Sequence, residues 1–198
     1  YEHELSHIVS SRLSHLKVEK AKQTVAGLVV AFRVMKTKKG DTMGFVTLDD
    51  RTGRLEVAVF SDTYTAHRDK LVKDALLVIE GQVSHDDFSG GLKMRADAVL
   101  PLAEAREAKV SALRLRLVPT TVSSQLNAEL KQCLQLHVPG SCKIVVDYQL
   151  PRVQGDVLLG DSWRIRPSDE LLAQLRSLYG LDAVTLIYGG KDSLAALH

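Results

Sequence analysis

Residues 43–59, MGFVTLDDRTGRLEVAV, decide the fold of the first half of this chain. Residues 43–48 are apolar and β-branched, as a strand requires. Asp49-Asp50-Arg51-Thr52-Gly53 carries the residue types that tight turns need, so turn chemistry accounts for its paired acids. Leu55, Val57 and Val59 then alternate with Arg54, Glu56 and Ala58, the period of a half-buried strand. Upstream, residues 25–35 form a strand long enough to need a bulge or bend, which Gly27 suggests. A polar loop, Lys36-Thr37-Lys38-Lys39-Gly40-Asp41, joins these two strands. Downstream, Ser61 or Asp62 can cap a short helix that runs to Leu71. Residues 75–83 form a fourth strand and residues 85–91 a hairpin loop. In the fifth strand Leu92, Met94, Ala96 and Ala98 alternate with Lys93, Arg95 and Asp97. The order β-β-β-α-β-β over residues 22–102 is that of an OB-fold barrel, in which the helix between strands three and four plugs the bottom.

The flanks read differently. Leu5, Ile8, Val9, Leu13 and Leu16 have helical spacing, and residues 1–21 are expected to be the helical remnant of a preceding domain. Residues 103–110 are charged and Ala-rich, a helical connector between domains. In residues 112–118 Leu113, Leu115 and Leu117 alternate with Arg114 and Arg116 as a strand. Ser123 caps a helix with Leu126, Leu130, Cys133, Leu134 and Val138 on its apolar face. Residues 142–150 and 156–160 read as strands, and Trp163 to Arg166 as a short extended piece. Ser168 caps a second helix carrying Leu171, Leu172, Leu175 and Leu178, and residues 183–188 form a last strand. Residues 111–189 therefore make a small α+β domain, β-α-β-β-α-β-like, with a split-βαβ character. Residues 190–198 read as a tail.

Composition narrows the function classes. The chain has 198 residues, 45% hydrophobic and 25% charged, which is ordinary for a folded protein and argues against disorder. Twenty-six basic against 24 acidic residues leave a net charge of +2, so any electrostatic case for nucleic acid rests on where the charges sit. Cys133 and Cys142 form neither a disulfide framework nor a zinc pattern, which suits a reducing, cytoplasmic setting. No apolar run is long enough to span a membrane. A first residue of Tyr and no leader suggest a piece of a longer protein.

The chemistry-bearing residues point to binding. Arg33, Lys36, Lys38 and Lys39 lie within one loop region with no acid among them, and positive side chains there would track phosphates. Single-strand binders also place aromatic rings on strands two and three. Phe45 and Phe60 are the candidates, with barrel packing slightly favoured for both, while Phe32 and Phe88 flank the loops. Arg54, Lys93 and Arg95 could extend the basic track or offset the barrel's acids. Trp163, beside Arg164 and Arg166, could anchor a partner or simply fix the start of the last helix. No phosphate-binding loop, nucleophile elbow or zinc-protease motif occurs, and no metal or catalytic constellation is expected.

Several motifs together carry a resemblance. They are Ala26-Gly27-Leu28-Val29-Val30-Ala31, then Gly44 through Val57, then Gly81-Gln82-Val83-Ser84 with Asp86 to Met94, and finally Trp163-Arg164-Ile165-Arg166-Pro167-Ser168-Asp169-Glu170-Leu171-Leu172. The chain resembles, from about Lys22 to Tyr188, the C-terminal region of the bacterial replicative DNA polymerase III alpha subunit. The resemblance implies an OB domain near single-stranded template DNA and a last domain that binds the tau subunit of the clamp loader. It implies that polymerase activity and its Mg2+ lie outside this chain, which needs no cofactor of its own. Tau contact is expected at Trp163, Arg164, Arg166, Leu172 and Arg176. Some members end in a sliding-clamp peptide beginning with Gln; here that place reads Asp182 to Tyr188 without it, so clamp binding is not expected. The alternative is a protein-interaction region in which the barrel is a spacer.

Overall fold

A computed structural model describes residues 1–87, 89–118, 124–150 and 153–189, and divides the chain into two compact units, Tyr1–Ala105 and Arg106–His198. In the first unit the strands are β1 (Gln23–Lys36), β2 (Thr42–Asp49), β3 (Arg54–Val59), β4 (Leu76–His85) and β5 (Leu92–Pro101). They close into a barrel of order β1-β2-β3-β5-β4. All neighbours are antiparallel except β3 and β5, whose parallel pairing of Glu56 with Lys93, Val57 with Met94 and Ala58 with Arg95 seals the cylinder. The alternation read from the sequence is the reason. Val46, Leu48, Leu55, Val57, Val59, Val83 and Met94 all point inward and are buried.

Helix α1 (Glu2–Ile8) is shorter than the apolar spacing predicted, because the chain leaves it at an extended Val9. Leu13, in a 3-10 turn (Leu13–His15), and Leu16 are buried in the barrel core instead of belonging to another domain. Hydrogen bonds fix this segment. Ser10 Oγ accepts from Thr24 N–H at 2.9 Å, and the Asp50 carboxylate accepts from Leu13 N–H at 2.9 Å. Asp50 also organises its own turn by accepting from the Thr52 and Gly53 backbone N–H groups.

Gly27 is not the bulge. The register shift lies between Val29 and Ala31, while a Cβ on Gly27 would sit 3.1 Å from Asp49 backbone atoms, so glycine serves a close approach of β1 to β2. Helix α2 (Ser61–His67) continues into a 3-10 turn (Arg68–Lys70) between β3 and β4, as expected. Its N-cap is Phe60, with no side-chain cap from Ser61 or Asp62. Tyr64 of α2 stacks 6.5 Å from Phe32, and both rings pack against the barrel core with the buried Leu71.

Helix α3 (Leu102–Lys109) occupies the predicted connector, and the division between the units falls within it. In the second unit β6 (Val110–Leu117), β7 (Lys143–Leu150), β8 (Val153–Leu158) and β9 (Val184–Tyr188) form a sheet of order β8-β7-β6-β9. Helices α4 (Ser124–Gln135) and α5 (Asp169–Tyr179) supply Cys133, Leu134, Leu171, Leu172 and Leu175 to its core. β6 and β7 are parallel direct neighbours, so α4 crosses over in an unsplit βαβ unit, while β8 and β9 run parallel with β7 and β6 between them, so α5 makes the split crossover expected. The strand expected at residues 156–160 starts earlier, at Val153. Residues 161–163 form a 3-10 turn, and Ile165 makes only an isolated bridge to Cys142. Ser168 caps α5 as expected, its Oγ accepting from Leu171 N–H at 3.2 Å. Arg106, itself buried, donates to the Pro167 carbonyl and to Asp169 and so fixes the same helix start. The predicted cap Ser123, the Leu126 side chain, Phe88 and the 190–198 tail lie outside the described residues. Among the described residues no helix is long and apolar enough to cross a membrane.

Burial raises the Asp50 carboxyl, but its hydrogen bonds from Leu13, Thr52 and Gly53 together outweigh that and hold it below the ordinary carboxylate range. A carboxyl depressed on folding stabilises above its unfolded value, and that stability fades as pH falls through the folded value. Asp50→Asn is therefore expected to cost about 1–3 kcal/mol at neutral pH. Urea melts of both proteins should show this gap constant down to about pH 4 and shrinking below it.

Candidate nucleic-acid interface

The register of the barrel arranges the polar positions into rows across its outer face. Directly paired residues share a face, as do residues two apart on one strand. One row runs Arg33, Phe45, Ala58, Arg95 and Gln82 across β1, β2, β3, β5 and β4. The next runs Ala31, Thr47, Glu56, Lys93 and Ser84. None of these side chains belongs to the buried core.

Phe45 is half-buried on this face, and Arg33 covers its ring, with the guanidinium carbon 4.1 Å from the centroid. Arg33 also donates to both Glu56 carboxylate oxygens, at 3.1 and 3.2 Å. A cation stacked on an aromatic ring and a carboxylate thus meet on the outer surface of the barrel. Arg33 and Glu56 are 57% and 47% exposed, so the pair contributes only ~0–1 kcal/mol and opens easily.

The remaining strand cations are matched in the same way. Arg54 pairs with Asp49 at 2.8 Å, Lys93 with Asp86 at 3.5 Å and Arg95 with Asp97 at 3.5 Å. Asp86 also accepts from Ser89 in the β4–β5 loop, at 2.6 Å from its hydroxyl. Asp49 is held below the ordinary carboxylate range, first by the Arg54 hydrogen bond and then by Arg51 N–H. The β1–β2 loop differs. Thr37 N–H donates to the Asp41 carbonyl at 2.8 Å, and Gly40 takes the left-handed conformation at φ 89° that closes the turn. This presents Lys36, Lys38 and Lys39 to solvent, and among the described residues no acid pairs with them.

The predicted basic residues therefore lie on the outer surface of the barrel and on its β1–β2 loop, in two electrostatic classes. The reading that Arg54, Lys93 and Arg95 offset the barrel's acids matches these pairs, whereas the pairing of Arg33 with Glu56 was not anticipated. Glu56 was legible in principle, since it alternates outward beside Ala58. Phe60 departs from the packing favoured for it: it is 49% exposed.

In the second unit the predicted partner residues divide as well. Leu172 is enclosed in the core, and Trp163 is half-buried with part of its surface packed against that core. Arg164 is half-buried, donating to Asp161 at 2.9 Å and to the Ser141 carbonyl at 3.3 Å. Arg176 is half-buried and Arg166 is exposed.

Comparison with known proteins agrees with this division of the chain. Residues 23–102 match the family described as OB-fold nucleic acid binding domain. Residues 129–180 match the family described as DNA polymerase III subunit alpha, C-terminal domain. DNA polymerase III subunit alpha of Pseudomonas aeruginosa is 45% identical over 188 residues, 95% of this chain. The chain is related to the C-terminal region of the DNA polymerase III alpha subunit. The Escherichia coli alpha subunit is also 45% identical, over 82% of the chain, and the Vibrio cholerae alpha subunit is 42% identical over 94%. The chain spans only 14–16% of the length of these alpha subunits. Among solved structures, a mitochondrial single-stranded DNA binding protein of S. cerevisiae covers 42% of this chain and 97% of its own, at 16% identity and TM-score 0.36. The replication factor A related protein of Methanobacterium thermoautotrophicum covers 46% and 88%, at 20% identity and TM-score 0.37.

Proposed function

We propose that this chain is a non-catalytic, cytoplasmic coupling region of an alpha subunit. Its barrel holds single-stranded template DNA, and residues 111–189 bind the tau subunit of the clamp loader. The observation that carries the first half is the outer row Arg33–Phe45–Ala58–Arg95, continued by the solvent-facing lysines of the β1–β2 loop. A sugar-phosphate strand lying along that row meets cations, and a base can stack at Phe45 or on the Arg33 plane above it. Tau binding rests on the family relationship alone. Arg166 is the predicted contact that is fully exposed, and Trp163, Arg164 and Arg176 are half-buried and keep part of their surface accessible. Polymerase chemistry and its Mg2+ belong, in this reading, to parts of the subunit outside the chain.

Salt dependence separates the two classes of cation. Each neutralised phosphate on single strands contributes about 0.7 to the slope of log K against log salt. Lys36, Lys38 and Lys39 acting alone give a slope of about −2, whereas Arg33, Arg54, Lys93 and Arg95 acting with them give about −5. Anisotropy titrations of a labelled oligo-dT across salt concentrations should return a value near the smaller magnitude. Reversing the three loop lysines to Glu should flatten the slope and weaken binding at least tenfold. A barrel serving only as a spacer binds no oligonucleotide under any of these conditions.

Glu56 occupies the place a phosphate would take on Arg33. Glu56→Gln should tighten oligo-dT binding severalfold while changing stability by less than about 1 kcal/mol. Unchanged affinity would remove Arg33 from the contact surface.

For the second unit, Arg166→Glu and Arg176→Glu are each expected to weaken capture of purified tau C-terminal region about tenfold. Binding that ignores both substitutions moves the docking surface elsewhere, and absence of binding by the unaltered chain overturns the partner.

A further inference from the structure

Five apolar side chains of the first unit stand apart from the barrel core: Leu5 and Val9 at α1, Leu28 and Val30 on β1, and Leu76 on β4. Leu28 pairs with Leu76 on one side and with Asp49 on the other, so all three share the outer face. Leu28 is 42% exposed and the other four are half-buried. They line a groove of about 920 Å3 between α1 and β1, past the Ala31–Thr47 row and away from the β1–β2 loop. Its rim carries Glu2, Arg12, Asp49, Asp50 and Arg51. Two of those acids already have their donors. Asp50 accepts from Leu13, Thr52 and Gly53 N–H, and Asp49 accepts from Arg51 N–H and from Arg54 Nε, both at 2.8 Å. Glu2 accepts from Arg12 at 2.6 Å, on side chains that are 75% and 47% exposed. Arg51, held at φ 70° in the β2–β3 turn, is exposed, and among the described residues no acid lies within ion-pair distance of its guanidinium. Glu2 is held below the ordinary carboxylate range first by Arg12 and, at longer range, by Arg51. Two guanidinium groups thus act on one exposed carboxylate at the mouth of an apolar groove.

We propose that this groove docks a peptide segment of a partner protein in which a large apolar side chain is followed by a carboxylate. The apolar side chain enters among Leu5, Leu28 and Leu76, and the carboxylate takes the place of Glu2 between Arg12 and Arg51. This does not depend on the reading of the barrel as a single-strand binder. The groove has the size of ligand sites, roughly 300–1,000 Å3, which is room for one or two large side chains. Exposed ion pairs are weak, so an incoming carboxylate exchanges with Glu2 at little cost. Affinity then comes from apolar burial, and the arginines select an acidic segment over a neutral one. A nucleic-acid strand suits the groove poorly. Glu2, Asp49 and Asp50 outnumber the two arginines on its rim and repel a run of phosphates, whereas a single carboxylate can be met at Arg51 alone.

The test follows backbone amide shifts of the full chain during titration with a capped peptide, Gly-Leu-Phe-Asp-Asp-Gly. The same peptide with Asn for Asp, and oligo-dT, serve as comparisons. The acidic peptide should move amides in residues 5–12, 26–30 and 49–51, and bind about fivefold or more tighter than the Asn peptide. Arg51→Gln should erase that preference, and Glu2→Gln, which removes the competing carboxylate, should tighten binding of the acidic peptide severalfold. Leu28→Asp should abolish binding of both peptides. Leu28→Ala, which leaves the barrel core intact, should weaken both and so guards against a folding artefact. Equal affinity for the two peptides, no shift in the groove with either, or oligo-dT moving the same amides would overturn the proposal. So would maleimide labelling of Leu28→Cys that succeeds in this chain and fails in a complete alpha subunit, since another part of the subunit would then fill the groove.

Discussion

The parallel pairing of β3 with β5 is the contact on which the rest of the first unit depends. Antiparallel hairpins alone would leave β3 and β5 as open edges, with unpaired backbone groups and no enclosed core. The residue pairs from Glu56–Lys93 to Ala58–Arg95 close the cylinder, and they also fix which side chains meet outside it. Because side-chain direction alternates strictly along a strand, a slip of one residue here would turn Met94 outward and Arg95 into the core. The apolar contents of the barrel therefore set the register, and the register sets the order of Arg33, Phe45, Ala58 and Arg95 across its face. Packing and recognition are two sides of one constraint.

The electrostatics of that face follow from the same geometry. A sheet surface with several basic residues and no acids would repel itself in the folded state and attract anions indiscriminately. Here Glu56, Asp49, Asp86 and Asp97 lie within reach of Arg33, Arg54, Lys93 and Arg95. The basic partner is solvent-accessible in every pair and both partners are in Arg33–Glu56, so that pair is weak and exchangeable. Among the described residues Lys36, Lys38 and Lys39, at the β1–β2 loop, are exposed and have no such partners. A small net charge of +2 is thus compatible with a locally positive rim.

The sequence disclosed the barrel well because its strands are half-buried and alternate: Leu55, Val57 and Val59 against Arg54, Glu56 and Ala58 admit one reading. It disclosed α5 for a similar reason, with Ser168 as cap and leucines at helical spacing. It misplaced features that depend on contacts between distant segments. Leu13 and Leu16 have helical spacing with Leu5 and Ile8, yet Asp50 draws Leu13 into the barrel and breaks the helix. Gly27 looks like a bulge, but only the approach of Asp49 explains it. Leu172 was expected among the partner contacts, and only the folded core shows that it is enclosed. The Arg33–Glu56 ion pair was hidden for the same reason, since its residues lie on strands that never pair directly with each other.

The central claim is that the outer face of β1, β2 and β3 is where a single strand lies. Amide hydrogen exchange of the whole chain, with and without saturating oligo-dT, tests it residue by residue. The account predicts added protection in residues 33–47 and 54–60 and none in residues 23–28 and 76–80. Protection confined to those last two segments, or to residues 110–189, would contradict it.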